Sequence, residues 1–186
     1  RRHHRVARWG KTVSTGSVQA VVQAVVEAGG AEVPRLMGRV ELRMDELARG
    51  HGPLLGRYAG ETIAAGGKRL RPLLVCLAAG VPPPESEALV RAAVAVELVH
   101  AATLVHDDVL DNSPLRRGRP TVVAAAGRRI ATATGDLLFS RAFAELAGAG
   151  APDAVRVLSR ASSELAAGEL MQRADSWNTD ITRERY

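Results

Sequence analysis

The chain has 186 residues, 46% of them hydrophobic and 24% charged, enough to bury the core of one soluble domain and too apolar for a disordered chain. Its formal charge of +5 resides in Arg1, Arg2, Arg5, Arg8 and Lys11, beyond which acids and bases balance, and only 3% of residues are aromatic. A nucleic-acid surface is therefore not expected, having neither a basic face nor stacking platforms.

Residues 1–16 read as a loose basic leader, with the folded domain expected from 17 to 186. The uncharged stretch from Val13 to Val26 is shorter than the ~20 apolar residues of a membrane span, and Gln19 and Gln23 dilute it as a signal-peptide core. Cys76 is the only cysteine, which excludes an internal disulfide framework and points to a reducing, cytoplasmic compartment.

Apolar residues recur every three or four positions, so helices are predicted throughout and no strand is. They run from about Ser17 to Ala28, from Pro34 to Ala48, from Pro53 to Ala65 and from Pro72 to Gly80, with glycines as stops and proline in the opening positions. "VPPP" is a rigid connector to the longest segment, Glu85 to Asp111. Its row Leu89, Ala92, Val96, Val99 and Thr103 is predicted to face the core. "AGAG" at 147–150 reads as a helix stop, since no strand precedes it as a dinucleotide fingerprint would need.

A second stripe on that helix carries charge. At 100° per residue His100, Thr103, Asp107 and Asp111 fall within about 40° of one line, and Asp108 stands about 100° round from Asp107. Asp107 and Asp111 repel each other at the negative end of the helix dipole, a conflict that a cation resolves. Carboxylates without a cysteine pair or an HExxH motif suit a hard ion, and magnesium takes one or two carboxylates together with substrate phosphates. The competing reading is a solvated helix end feeding an Asn-Ser-Pro turn. Arg116, Arg117 and Arg119 follow, and guanidinium forks suit phosphate oxygens. A separate cluster, Lys68, Arg69 and Arg71, follows two glycines but is no P-loop, because Thr62 and Arg69 stand where glycine and a hydroxyl residue belong.

"GGKRLRP", "ELVHAATLVHDDVLDNSPLRRGRPT", "TGDLLFSRAF" and "GELMQ" together resemble, in order and spacing, the trans-polyprenyl diphosphate synthases, from about Leu54 to the last residue. The resemblance implies an all-α, antiparallel helical bundle around a central cavity. It implies that Asp107 and Asp111 coordinate Mg2+ on the diphosphate of an allylic substrate, with Asp108 supporting the site. Lys68, Arg71, His100 and Arg117 would hold isopentenyl diphosphate, and Arg116 the allylic diphosphate. Ionising the allylic carbon-oxygen bond leaves a carbocation and pyrophosphate, so metal and arginines stabilise the leaving group while an apolar cavity keeps water from the cation. In the family, the residues four and five places before the first aspartate line the tunnel floor. Here they are Thr103 and Ala102, both small, so a long-chain product is expected.

Family members are nearly twice this length and carry a second aspartate-rich motif, whereas Asp136, Glu164, Glu169, Asp175 and Asp180 form no DDxxD. Three readings follow: an N-terminal part of an ordinary synthase, a short subunit of a heteromeric one, or a prenyl diphosphate binding module. Members are commonly homodimers, and a half-bundle with uncovered apolar faces is expected to associate with itself or with a partner that supplies the rest.

Overall fold

The computed structural model describes residues 15–49, 52–53, 55–65, 67–80 and 85–185. Residues 1–14 of the expected leader and the "VPPP" connector at 81–84 lie outside them, while Thr15 and Gly16 already belong to the first helix. Among the described residues eight helices form one bundle: α1 (Thr15–Ala28), α2 (Glu32–Ala48), α3 (Leu55–Ala64), α4 (Leu70–Ala78), α5 (Glu87–Asp111), α6 (Val122–Ala126), α7 (Arg128–Gly148) and α8 (Pro152–Ala174). The expected all-α fold is the one observed.

α2 and α4 start two residues before the expected prolines for a common reason, while α3 and α5 start two residues later than expected, at Leu55 and Glu87. Pro34 and Pro72 are the third residues of α2 and α4, not the first, because none of the first four N–H groups of a helix has a partner inside it and proline is tolerated across that turn. α5 begins at a true cap: the Ser86 hydroxyl accepts from the Leu89 N–H at 3.0 Å, with Glu87 beside it to oppose the dipole. It ends at Asn112, whose φ of 50° turns the chain while the Ser113 N–H donates to the Asp108 carbonyl at 3.0 Å. "AGAG" is the helix stop expected of it, with α7 finishing at Gly148 and Gly150 at φ 65°.

α5 is the centre of the bundle, packed most extensively on α7 and then on α4 and α2. Val33, Leu36, Val40 and Met44 form the buried stripe of α2, and Ala131, Leu138, Ala142 and Leu146 that of α7. On α5 the row predicted for the core is not the deepest one. Val90, Val94, Leu98 and Ala102 are fully or almost fully buried, whereas Leu89, Ala92, Val96 and Thr103 remain half-buried. The helix is apolar on nearly every side, so spacing alone has no polar face against which to orient it. By length and composition α5 could even cross a membrane, but half of its most apolar stretch is buried inside this protein, as befits a core helix.

The expectation of no strand is corrected by one small hairpin. β1 (Leu115–Arg116) and β2 (Arg119–Pro120) pair antiparallel, Arg116 opposite Arg119, around Arg117 (φ 54°) and Gly118 (φ 76°). Two successive left-handed residues are the signature of a type I′ turn, and strands of two residues are too short to show alternation in a sequence. The hairpin is tied down by the Thr121 hydroxyl, which donates to the Ser113 carbonyl at 2.6 Å and accepts from the Ala124 N–H at 3.2 Å to cap α6.

One contact between α5 and α7 depends on a missing side chain. The His106 ring stacks on Phe139, its Nε2 3.3 Å from the Thr132 carbonyl, and lies directly over Gly135. A Cβ at 135 would sit 2.3 Å from His106 Nε2. Gly135→Ala, which in an open helix would stabilise, is expected here to destabilise by about 1–3 kcal/mol in a denaturant titration. Adding His106→Ala should recover most of that loss; equal penalties in both backgrounds would show that the ring is not the obstacle.

Candidate functional site

α5 carries Glu97, His100, Thr103, Asp107, Asp108 and Asp111 on one rigid rod, and the hairpin folds two arginines back onto it. Asp108, about 100° from Asp107 as the helical period requires, is buried and holds Arg116. Arg116 Nε donates to both carboxylate oxygens at 3.0 and 3.1 Å, with Nη2 2.8 Å from Oδ1. Arg116 is thus anchored, which limits how freely it could serve a diphosphate. Glu97, one turn before His100, is also buried and accepts from Arg69 Nη1 at 3.1 Å. Arg69 in addition bonds both Glu41 oxygens, at 2.8 and 3.3 Å, and the Ile63 carbonyl at 3.2 Å. It staples α2, the end of α3 and α5 together, so this member of the basic cluster is structural.

Two cavities meet at His100. One, of about 640 Å³, is lined by Arg69, Arg116, Arg117 and Arg119 together with Glu97 and Asp108. The other, of about 360 Å³, lies between α5 and α8 and is mostly apolar: Val96, Val99, Thr103, Leu158 and Leu165, with Arg71 as its cation. Burial pushes the His100 pKa below its ordinary value, and Arg71, Arg117 and Arg116 push it further against the opposing charge of Glu97. A neutral imidazole among three guanidiniums is a setting prepared for an anion. Thr103 stands on the wall of the apolar cavity with its hydroxyl donated back to the His100 carbonyl at 2.9 Å, while Ala102 is sealed in the core and borders neither cavity. Lys68 is half-buried and borders neither.

Asp107 and Asp111 stand apart from both cavities, on the side approached by the C-terminal half of α8. Burial raises the Asp107 pKa, the charges of Glu169 and Asp111 raise it further, and Arg116 and Arg173 oppose them. The like-charge conflict at this helix end is answered in part by the protein itself, since Arg173 Nη2 lies 2.8 Å from Asp111 Oδ1. No three His, Cys, Asp or Glu side chains among the described residues converge to hold a metal ion. A pair of carboxylate ligands nonetheless fits magnesium, which retains waters and takes its other oxygens from phosphates, and fits poorly a metal that needs a complete protein cage.

Glu97 and Arg173 were not singled out by motif spacing, while Arg69 entered only as a member of the basic cluster and Glu169 only within "GELMQ" and among the acids that form no DDxxD. Glu97 carried a signal: a carboxylate amid an apolar helix demands a cation from elsewhere. For Glu169 and Arg173 the only local sign is their i, i+4 spacing, because what makes them relevant is the approach of α8 to α5, over sixty residues away in the chain.

A family model described as polyprenyl synthetase matches residues 53–186. Among curated proteins, heptaprenyl diphosphate synthase component 2 of Geobacillus stearothermophilus is 45% identical over 136 residues, 73% of this chain and 42% of that protein. Octaprenyl diphosphate synthase of Escherichia coli is 40% identical over 132 residues, 71% of this chain and 40% of that protein. A decaprenyl diphosphate synthase from Rhodobacter capsulatus superposes with a TM-score of 0.78 at 34% identity, over 89% of this chain and 50% of that one. The chain therefore spans about two-fifths of the length of the curated relatives it matches.

The environment of His100 has a measurable consequence. Its NMR titration midpoint should fall below the ordinary value near 6.5, and inorganic pyrophosphate should raise it by favouring the imidazolium. Because the unfolded chain takes up this proton near pH 6.5 and the folded chain resists it, the contribution of His100 is present above that pH. It is lost as pH falls toward the folded midpoint. His100→Gln should remove this part of the acid sensitivity; a midpoint at or above 6.5 would contradict the assignment.

Proposed function

Because the chain belongs to the polyprenyl synthetase family, we propose that it serves the Mg2+-dependent condensation of isopentenyl diphosphate with an allylic diphosphate to a long-chain polyprenyl diphosphate. The observation that carries the proposal is the position of His100, shared by a cation-lined and an apolar cavity. Asp107 lies seven residues on, about 10 Å along the same helix. Arg117 lines the first of these cavities and Arg71 the second, so His100 sits where guanidiniums from both could meet one diphosphate.

In this reading Arg71, His100 and Arg117, with Lys68, hold isopentenyl diphosphate, while Asp107, Asp111 and Arg116 serve the allylic diphosphate. Magnesium, held by Asp107 and Asp111, would neutralise charge on the departing pyrophosphate. Arg116, oriented by Asp108, would place fixed positive charge beside that leaving group and lose little freedom in doing so. Val96, Val99, Leu158 and Leu165 would keep water from the carbocation. Small Thr103 on that wall leaves room for a long product, in line with the heptaprenyl and octaprenyl names of the relatives. Ala102, sealed in the core, is the weaker of the two length determinants. A cytoplasmic site of action and self-association as a homodimer belong to the same proposal.

A second reading, a subunit of a heteromeric synthase, draws on α8. None of its described side chains is fully buried, and exposed Val157, Leu165 and Met171 lie within an arc of about 120°, an apolar face suited to another polypeptide. A relative named component 2 is compatible with it.

Labelled isopentenyl diphosphate with an allylic primer and magnesium tests both. Turnover by the chain alone supports the first reading, and turnover only after addition of a second polypeptide supports the second. In whichever preparation is active, Asp107→Ala should reduce turnover by roughly a hundredfold or more with helix content unchanged by circular dichroism. Near-normal activity would refute the metal assignment. Thr103→Phe should shorten the product, and an unaltered chain-length distribution would remove Thr103 from the product-binding wall.

A further inference from the structure

Arg173 lies where a divalent ion on the aspartate rim would have to act. Its Nη2 is 2.8 Å from Asp111 Oδ1, a directed hydrogen bond from α8 to α5. Its Nε is 2.8 Å from Glu169 Oε1, one turn back on its own helix. That second contact is one of charge without alignment, for the Nε is shielded from water and makes no hydrogen bond. The guanidinium is therefore held to the rim by a single well-formed bond, while one of its donors is left without the partner it would have in water. Its own pKa is raised, first by the bond to Asp111, so it is a permanent cation.

Charges nearby make that cation consequential. Glu169 sits one turn before Arg173 on α8, so a third carboxylate is brought to the rim where α8 meets the end of α5. Arg116 is committed to Asp108 through Nε and Nη2. Arg173 is the arginine bonded directly to a rim carboxylate.

We propose that Arg173 is a resident counter-cation of the aspartate rim, competing with a divalent ion for Asp111 and so setting how tightly the rim holds one. This rests on Asp107 and Asp111 being the metal ligands. An ion approaching Asp111 Oδ1 must either displace Nη2 or share the oxygen with it under repulsion from a full positive charge. Displacement leaves Arg173 to Glu169, which keeps the freed guanidinium paired on α8. A purely structural role is the alternative: Arg173 would then merely fasten α8, none of whose described residues is fully buried, to the end of α5.

Mn2+ titration of the full chain, followed by the electron paramagnetic resonance signal of the free ion, separates these roles. Arg173→Met should tighten Mn2+ binding by about five- to tenfold, or make it measurable where the parent chain is too weak to titrate. Arg173→Lys, which keeps the charge, should return the affinity toward that of the parent. Unchanged or weaker binding in Arg173→Met, or a lysine variant that follows the methionine one, overturns the proposal, since loosening α8 cannot strengthen a site on α5. Asp111→Asn tested in both backgrounds separates the two failures. If it weakens Mn2+ binding while Arg173→Met has no effect, the rim stands and the counter-cation fails; if neither Asp107→Asn nor Asp111→Asn alters binding, the rim itself is misassigned and this inference falls with it.

Discussion

Every buried carboxylate among the described residues of this bundle is matched by an arginine from a different element. Glu97 holds Arg69, Asp108 holds Arg116, and Glu145 on α7 holds Arg43 of α2 at 2.7 and 3.0 Å. An ionised carboxylate enters an apolar core only if a cation goes with it, and removing one partner of such a pair is expected to be far more damaging than never having built it. The pairings therefore restrict which helices lie against which. Arg43 locks α2 to α7, and Arg69 locks α2 and the end of α3 to α5. Arg116 folds the hairpin against the end of α5.

The division of labour among the basic residues follows from these locks. Six arginines and lysines cluster around "GKRLRP" and "LRRGRP", and their sequence neighbourhoods do not distinguish structural from receptive ones. Arg69 and Arg116 are tied to buried carboxylates, whereas on His100 the lowering of the pKa comes first from burial and then from Arg71, Arg117 and Arg116. The left-handed backbone at Arg117 serves the same end, since a I′ turn of two residues is the tightest way to return a basic chain onto the helix that precedes it. The two cavities share His100 of α5, one bordered by Arg69, Arg116, Arg117 and Arg119 and the other by Leu158 and Leu165 of α8.

α8 is the least embedded of the long helices, and the aspartate rim depends on it. Its carboxylate and guanidinium, Glu169 and Arg173, change the electrostatics of Asp107 and Asp111, which α5 alone would leave in mutual repulsion. A site assembled between a deeply packed helix and a lightly packed one combines a rigid half with an adjustable one.

Helix content, glycine stops, the spacing of Asp107, Asp108 and Asp111, and the family to which they belong were all readable from residue order, because each rests on interactions within a few positions along the chain. Only tertiary packing decided which side of α5 is core, because a helix apolar all round has no preferred face until neighbours surround it. Packing also decided that Ala102 lies in the core and Thr103 on a cavity wall, that Arg69 is a staple, and that Arg173 reaches Asp111. These are choices of partner across tens of residues, made by desolvation and charge together, and no local period encodes them.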